Sequence, residues 1–375
     1  MIIFCFYNLQ KLRLLRKKVM VMAIHDISPE EIQFLANPLF IDVRSPGEWR
    51  EGNIPNSINI PLLDDQERAE VGTVYKNVNP KEAKDLAFRF VAPKLPDMAA
   101  QIKQYAKDHS VVIYCWRGGL RSKGVATILD LLDIKVNRLH GGYKEYRHHI
   151  LNRLETHDFN KTFIVLHGLT GVGKTAIIEN LEMQGVPTLN LEGLAGHRGS
   201  SFGAIGLHGI HSQKQFDSLL VDRMDAIGDT PYYVIEAESR RIGKVMLPQQ
   251  IMEGKEKGIH FIVEAPLEIR IDRILEEYTK NQSVDEIWEH IAGPITSLQK
   301  QLQPKIYEQV VDAVNAGQLR KVIEILMVDY YDHKYMHKAK QYQGQVRRID
   351  ATSIEEAVIA IRQAIAEEIS EQIFA

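Results

Sequence analysis

Two short stretches of this chain bring together residue types that could do covalent and phosphate chemistry. The first is Val111-Val112-Ile113-Tyr114-Cys115-Trp116-Arg117-Gly118-Gly119-Leu120-Arg121-Ser122. It reads as a buried strand running into a glycine-bearing loop that Cys115 begins, with a helix from Ser122 onward. Adjacent Gly118 and Gly119 let consecutive amides turn inward as an anion-binding nest, and the following helix N-terminus adds positive potential. Arg117 and Arg121 contribute full charges, so a thiolate is expected to be stabilised and Cys115 to act as a nucleophile. A lone cysteine at a strand end is more commonly a small core residue. The double-glycine loop between two arginines favours the reactive alternative. For Trp116, covering a substrate base and simple packing are both open.

The second stretch, Gly168-Leu169-Thr170-Gly171-Val172-Gly173-Lys174-Thr175, fits G-x-x-x-x-G-K-[ST] in full; it follows an apolar strand and opens a helix at Ala176. Gly168, Gly171 and Gly173 let amides wrap a phosphate chain, Lys174 supplies a cation to its oxygens, and the Thr175 hydroxyl suits magnesium. Glu236 or Glu238, at the end of a later strand, could hold the same magnesium through water. Phosphate binding does not by itself establish nucleotide hydrolysis. Between loop and strand, residues 191–203 are too glycine-rich for a regular element, and loops of this kind are often functional. His197 and Arg198 there, with Arg240 and Arg241 in a second basic cluster, are candidates to meet a ligand phosphate. The pairs His208 and His211, His148 and His149, and His333 and His337 lack the company of a zinc site and read as surface residues.

These loops need strands to launch them. Strands are expected over 39–43, 57–60, 111–114 and 136–139, with helices over 80–90 and 98–107. A second system follows, with strands over 162–167, 232–236 and 259–263, then a mainly helical stretch to Val328 and a closing helix over 354–373. Alternating strands and helices favour parallel sheets covered by helices. The fold class is therefore α/β: a first parallel-sheet domain over 23–150, a linker over 151–161, and a P-loop NTPase-like domain over 162–375 with a helical C-terminal part. A length of 375 residues agrees with two cores rather than one. Residues 1–22 read as an extension, disordered or marking an over-extended start, in which Cys5 carries no function.

With 46 basic and 49 acidic residues the net charge is -3, so any nucleic acid must meet local basic patches rather than a basic surface. Tyr330, Tyr331, Lys334 and Tyr335 offer one such aromatic and basic group, though packing explains it equally well. Only two cysteines, and no apolar run long enough to span a bilayer, fit a reducing, cytoplasmic setting.

The thiol loop, together with Asp42-Val43-Arg44-Ser45-Pro46-Gly47-Glu48-Trp49 and Gly52-Asn53-Ile54-Pro55-Asn56-Ser57-Ile58-Asn59-Ile60-Pro61, resembles a rhodanese domain. In that family the loop cysteine carries a chalcogen, as a persulfide or its selenium counterpart. Asp42 and Arg44 read as an ion-paired turn supporting the loop, and Glu48 as structural. A rhodanese domain followed by this P-loop domain resembles the tRNA 2-selenouridine synthase family from about Ala23 onward. Glu192-Gly193-Leu194, His197-Arg198-Gly199-Ser200, Glu238-Ser239-Arg240-Arg241-Ile242-Gly243 and Asp329-Tyr330-Tyr331-Asp332 look like that family's signatures.

The resemblance implies exchange of sulfur for selenium in 2-thiouridine at the wobble position of tRNA, with selenophosphate as donor. It also implies an S-geranyl intermediate made from geranyl diphosphate. Mg2+ would accompany the phosphate site; whether a nucleotide binds is left open. Two alternatives use the same loops: a sulfurtransferase coupled to an NTPase or kinase, and a non-catalytic tRNA-binding regulatory module.

Overall fold

The structure is a computed structural model that describes residues 24–198, 210–280, 284–333 and 346–374. Residues 1–22, with Cys5, lie outside the described residues, as do Gly199, Ser200, His208, Lys334, Tyr335 and His337. Two compact units divide the chain, Met1–Arg153 and Leu154–Ala375.

In the first unit five strands, His25–Ile27 (β1), Pro38–Asp42 (β2), Ile58–Asn59 (β3), Ser110–Tyr114 (β4) and Asn137–Leu139 (β5), form a parallel sheet in the order β1-β5-β4-β2-β3. Central β4 is apolar on both faces, as a parallel strand covered twice must be. Val111 to Tyr114 are all buried. Helices Pro46–Arg50 (α1), Asp65–Asn77 (α2), Pro80–Val91 (α3), Leu95–Tyr105 (α4), Leu120–Leu131 (α5) and Gly142–Thr156 (α6) connect or cover the strands. Their starts are written in the sequence. Ser45 and Glu48 cap α1 reciprocally, Asp64 and Glu67 do the same for α2, and Asn79 followed by Pro80 opens α3. Helix α5 begins at Leu120, two residues before the expected Ser122. The linker expected over 151–161 is shorter: residues 151–156 complete α6, because Ile150 and Leu154, one turn apart, are both buried.

The second unit has a parallel sheet in the order β12-β11-β6-β8-β7, built from Thr162–His167 (β6), Thr188–Leu189 (β7), Tyr232–Glu236 (β8), Ile259–Glu264 (β11) and Arg347–Asp350 (β12). A small antiparallel hairpin, Arg241–Ile242 (β9) with Val245–Met246 (β10), follows β8. Helices Lys174–Met183 (α7), Leu191–Ala195 (α8), Gln213–Ile227 (α9) and Gln249–Lys257 (α10) belong to the sheet region. The expectation that 191–203 holds no regular element fails at α8. The Asn190 side chain accepts the Gly193 amide at its start, and Gly196, in the left-handed region, ends it.

Leu267–Thr279 (α11), Val284–Leu298 (α12), Pro304–Asn315 (α13) and Leu319–Leu326 (α14) carry a separate apolar cluster that includes Ile274, Ile291, Leu298, Val322 and Leu326. Tyr330 and Tyr331 are buried in it, so packing, not RNA contact, is what the structure gives them. The last helix, Ile354–Phe374 (α15), lays Ala357, Val358, Ile361 and Ile365 against the sheet core. Among the described residues no helix is long and apolar enough to cross a membrane.

One contact in the first unit is set by backbone alone. Gly118 and Gly142 both have φ of 62°, and a Cβ at Gly142 would lie 2.3 Å from the Cys115 carbonyl oxygen and 2.4 Å from the Gly118 nitrogen. Only glycine fits such an approach. Gly142→Ala should lower the unfolding free energy by about 2 kcal/mol or more in denaturant titrations. Gly124→Ala, on an exposed face of α5 with open space around the added methyl, should leave it unchanged or raise it by up to about 1 kcal/mol.

Candidate active site

The parallel pairing of β2 with β4 sets Asp42 opposite Tyr114, which brings Asp42 and Arg44 alongside the loop that Cys115 begins. Both side chains are buried, at 0% and 1% exposure, so their charges must satisfy one another. They do: Arg44 Nη2 donates to Asp42 Oδ2 at 2.6 Å and Nε to Oδ1 at 3.0 Å, while Nη2 also reaches the Gly52 carbonyl at 2.8 Å. The guanidinium lies 4.2 Å from the Tyr143 ring centre, with Tyr114 and Trp116 next to it at 5.7 and 5.9 Å. Burial pulls the Arg44 pKa down, but the hydrogen bonds and charge of Asp42 outweigh it and the net shift is upward. Trp116 therefore sits at this cation as a packing partner.

The loop itself is tied through its carbonyls. The Tyr143 amide donates to the Cys115 oxygen at 2.8 Å, the Lys144 amide to that of Trp116 at 2.9 Å, and Arg138 Nη1 to that of Gly118 at 2.8 Å. Arg138 is held in turn by Asp26 on β1. With carbonyls engaged on one side, the intervening amides are presented to the other.

Cys115 is 3% exposed, and its sulfur is 3.3 Å from the Ser122 hydroxyl. Gly119, Arg117 and Leu120 of the loop are exposed. Arg121, expected to give its whole charge to the thiol, is shared with Glu48 through bonds of 2.5 and 3.1 Å. Burial pushes the Glu48 carboxyl up, yet the bond and charge of Arg121, the Ser45 amide and Arg68 hold it below the usual range. Glu48 thus staples α1 to α5.

The phosphate loop shows the same construction at the end of β6. Arg270 of α11 donates from Nε to the Thr170 carbonyl at 2.8 Å and grips Asp332 with its two remaining nitrogens at 3.0 and 2.6 Å. Arg273, one turn away, bonds the Val172 carbonyl at 2.8 Å and the Ala351 carbonyl at 2.7 Å. Lys174 Nζ donates to the Gly168 carbonyl at 2.8 Å. Gly171, at φ 80°, lies against α11 so closely that a Cβ would meet the Arg270 oxygen at 2.7 Å and Ile274 Cδ1 at 3.0 Å.

Glu192, which sequence pattern had placed in a featureless loop, is the acid that reaches Thr175: the hydroxyl donates to Glu192 Oε2 at 2.9 Å. Burial and then the neighbouring Glu238 raise the Glu192 pKa to about 7. Glu236 is fully buried at the end of β8. Its Oε2 accepts the Leu191 amide at 2.9 Å, and its Oε1 has no hydrogen-bond partner. Burial and then Glu192 raise it to about 8. Among the described residues no three His, Cys, Asp or Glu side chains are arranged to hold a metal alone. Magnesium on a phosphate chain needs only one or two protein oxygens. Thr175 and Glu192 fit that need, with Glu236 and Glu238 behind them.

Of the basic candidates, Arg198 is turned onto α11. Its Nε is 2.5 Å from Glu277, and its guanidinium lies 5.8 Å from the Tyr278 ring centre. Arg240 and Arg241 are exposed, and Arg241 Nε donates to the Gly243 carbonyl at 3.0 Å. The two clusters do meet: a Cβ on Gly243 would lie 2.7 Å from the His197 ring. Among the histidines, His148 and His333 are exposed. His149 pairs with Glu30 at 2.9 Å, and His211 with the Leu194 carbonyl at 2.8 Å, so neither of these is a plain surface residue.

Residues 161–368 match the family described as "tRNA 2-selenouridine synthase AAA domain", and residues 29–149 match "Rhodanese-like domain". The chain belongs to the tRNA 2-selenouridine synthase family. A relative of that name from Psychromonas ingrahamii is 30% identical over 84% of this chain and 91% of its own. One from Bdellovibrio bacteriovorus is 31% identical over 70% of this chain and 71% of its own. One from Nitrosomonas eutropha is 35% identical over 65% and 64%. Both domain assignments fall on the α/β units described above.

Beside the phosphate loop, His167 Nε2 and His260 Nδ1 are 2.7 Å apart on neighbouring strands. Burial, then the His260, Lys255 and Lys174 charges, lower the His167 pKa to about 3. The unfolded chain, titrating near 6.5, binds the proton first, so stability is full above that pH and falls on acidification toward 3. Between pH 7 and 5 this site should cost the second unit up to about 2 kcal/mol. His167→Asn should flatten that part of the pH profile in thermal or denaturant unfolding.

Proposed function

We propose that the protein is a tRNA 2-selenouridine synthase, which replaces the sulfur of wobble 2-thiouridine by selenium with selenophosphate as donor, through an S-geranyl intermediate made from geranyl diphosphate. The observation that carries the proposal is the joining, in one chain of this family, of a thiol loop and a phosphate loop, each at the end of a central parallel strand. Two phosphate-bearing co-substrates call for two anion cradles, and the chain has two.

The chemistry balances without an oxidant. The thiocarbonyl sulfur attacks C1 of geranyl diphosphate, the C–O bond breaks, and diphosphate leaves from a phosphate loop containing Lys174, with Thr175 and Glu192 to hold Mg2+. Alkylation turns a poor leaving group into a good one. Cys115 sulfur then adds at C2 of the base, and its proton leaves with geranyl thiol. Selenium of selenophosphate displaces the cysteine at C2, and water cleaves the P–Se bond to give phosphate. In this reading Gly118, Gly119 and the exposed Arg117 take the selenophosphate anion. Since Cys115 is nearly covered, residues 116–120 must shift to admit the base. Arg138 and Gly142 then serve as the fixed anchors of that loop.

Pure protein incubated with 2-thiouridine tRNA, selenophosphate and geranyl diphosphate, each omitted in turn, should give 2-selenouridine only in the complete mixture and the S-geranyl nucleoside when selenophosphate is left out. Nucleoside mass analysis reads both. Cys115→Ser should abolish selenation, by at least about 1,000-fold, while keeping tRNA binding. Lys174→Ala should suppress geranylation first. Full selenation by Cys115→Ser would rule out the thiol's role. Normal geranylation by Lys174→Ala would move the phosphate loop to a nucleotide.

A further inference from the structure

The mouth of the thiol loop is bordered by cations that the surrounding acids do not neutralise. Arg117 lies in the loop itself. Lys123, on the first turn of α5, donates its amide to the Gly119 carbonyl at 3.0 Å, and Lys144, on the first turn of α6, donates its amide to that of Trp116 at 2.9 Å. All three residues are exposed, and among the described residues none forms an ion pair. The nearby acids are engaged elsewhere. Asp26 is held by Arg138, and Glu48 is shared by two guanidiniums, Arg121 at 2.5 Å and Arg68 at 3.5 Å, so that trio also keeps a net positive charge. Glu145 leans over Gly141 and faces His148 at 3.7 Å. In a chain whose net charge is -3, such an excess around one loop is a local attraction for a polyanion.

Shape adds to charge. Leu120 is 68% exposed at the start of α5, and a Cβ on Gly119 or Gly124 would meet nothing within 4 Å. The approach to the loop is thus open, with an apolar side chain standing in it. The buried thiol then decides what kind of polyanion fits. At 3% exposure Cys115 can be reached by a flat group fed inward past the loop, while the rest of a large ligand stays outside. A nucleotide in a single-stranded RNA loop divides in that way: its base swings out of the stack, and the phosphates on either side remain at the surface. The swing bares the face of the neighbouring base, which an apolar side chain can cover. An anionic membrane or an acidic protein surface offers negative charge without such an insertable group.

We propose that this rim is the RNA-docking surface of the first unit. Lys123 and Lys144, one from each helix that borders the loop, take the phosphates flanking the reacting nucleotide, and Leu120 covers the base that it leaves behind. Because both lysines are tied to the loop through its carbonyls, their positions and that of Cys115 are set together. The proposal rests on the reading of RNA as substrate given above, and it leaves Arg117 to selenophosphate.

The test is binding of an anticodon stem-loop RNA carrying 2-thiouridine to the full-length protein, read by fluorescence anisotropy over a series of salt concentrations with no co-substrate present. Lys123→Glu and Lys144→Glu should each weaken binding about tenfold, while Lys135→Glu, the same charge change ahead of the opposite end of β5, should stay within about twofold. Lys123→Gln combined with Lys144→Gln should lower the slope of log affinity against log salt by about 1.4, at roughly 0.7 for each lost phosphate contact. Lys123→Arg combined with Lys144→Arg should bind as the unmodified protein does. With 2-aminopurine placed beside the thiouridine, binding should raise its fluorescence, and Leu120→Ala should remove most of that rise. A rise unchanged in Leu120→Ala would overturn the part given to Leu120. Unmodified affinity and salt slope in the Lys123→Glu, Lys144→Glu double variant would overturn the docking surface while leaving RNA as the substrate. Binding of anionic phospholipid vesicles but not of the RNA would overturn both. None of these readouts depends on selenation, so the surface and the chemistry of Cys115 stand or fall separately.

Discussion

Both glycine-bearing loops depend on carbonyl oxygens being pinned from outside. A peptide unit points its C=O and N–H in opposite directions, so a loop presents a row of amides only if something on the far side holds its oxygens. In the thiol loop that role falls to Arg138 and the first amides of α6; in the phosphate loop it falls to Arg270 and Arg273. Charged donors suit the task because their hydrogen bonds are stronger than those of neutral groups. Glycines set the path, and cations from distant elements keep it.

The two sites differ in how they treat charge. Around Cys115 the buried pair Asp42 and Arg44 is internally neutral and enclosed by aromatic rings, and Arg121 is shared with Glu48. The thiol is thus surrounded by satisfied charges, with Arg117 at the exposed rim. Around Thr175 the balance runs the other way. Glu192, Glu236 and Glu238 crowd together, and two of them are raised to about 7 and 8 by burial and mutual repulsion.

The sequence made the load of each loop plain and hid most of its supports. Strands at 38–42, 110–114, 162–167 and 232–236 were legible because a strand covered on both faces must be a continuous apolar run. The eight-residue phosphate motif and the cysteine just ahead of a double glycine flanked by arginines are local patterns, readable at a glance. Two-residue β7, three-residue β1 and polar β12 are too short or too charged for periodicity to reveal. Arg138, Arg270 and Arg273 act across long stretches of chain, and nothing in their own neighbourhood marks them. Nothing in the residues around Glu192 marks it as a partner of Thr175. A short helix capped by Asn190 turns it toward Thr175, and the signal for that helix, an asparagine three residues before a glycine, is weak.

Gly142 has a consequence for how the protein is made. Its backbone fills the space beside the Cys115 oxygen, and β5, which pairs with both β1 and β4, immediately precedes it. A nascent chain that has released Cys115 but not yet β5 and α6 lacks the pieces that shape the thiol's surroundings. In the second unit, α11 likewise reaches the phosphate loop only after about a hundred further residues have been added. Ribosomal synthesis therefore delivers each functional loop slack and tightens it later, so a truncated product keeps the recognisable motif without the working geometry.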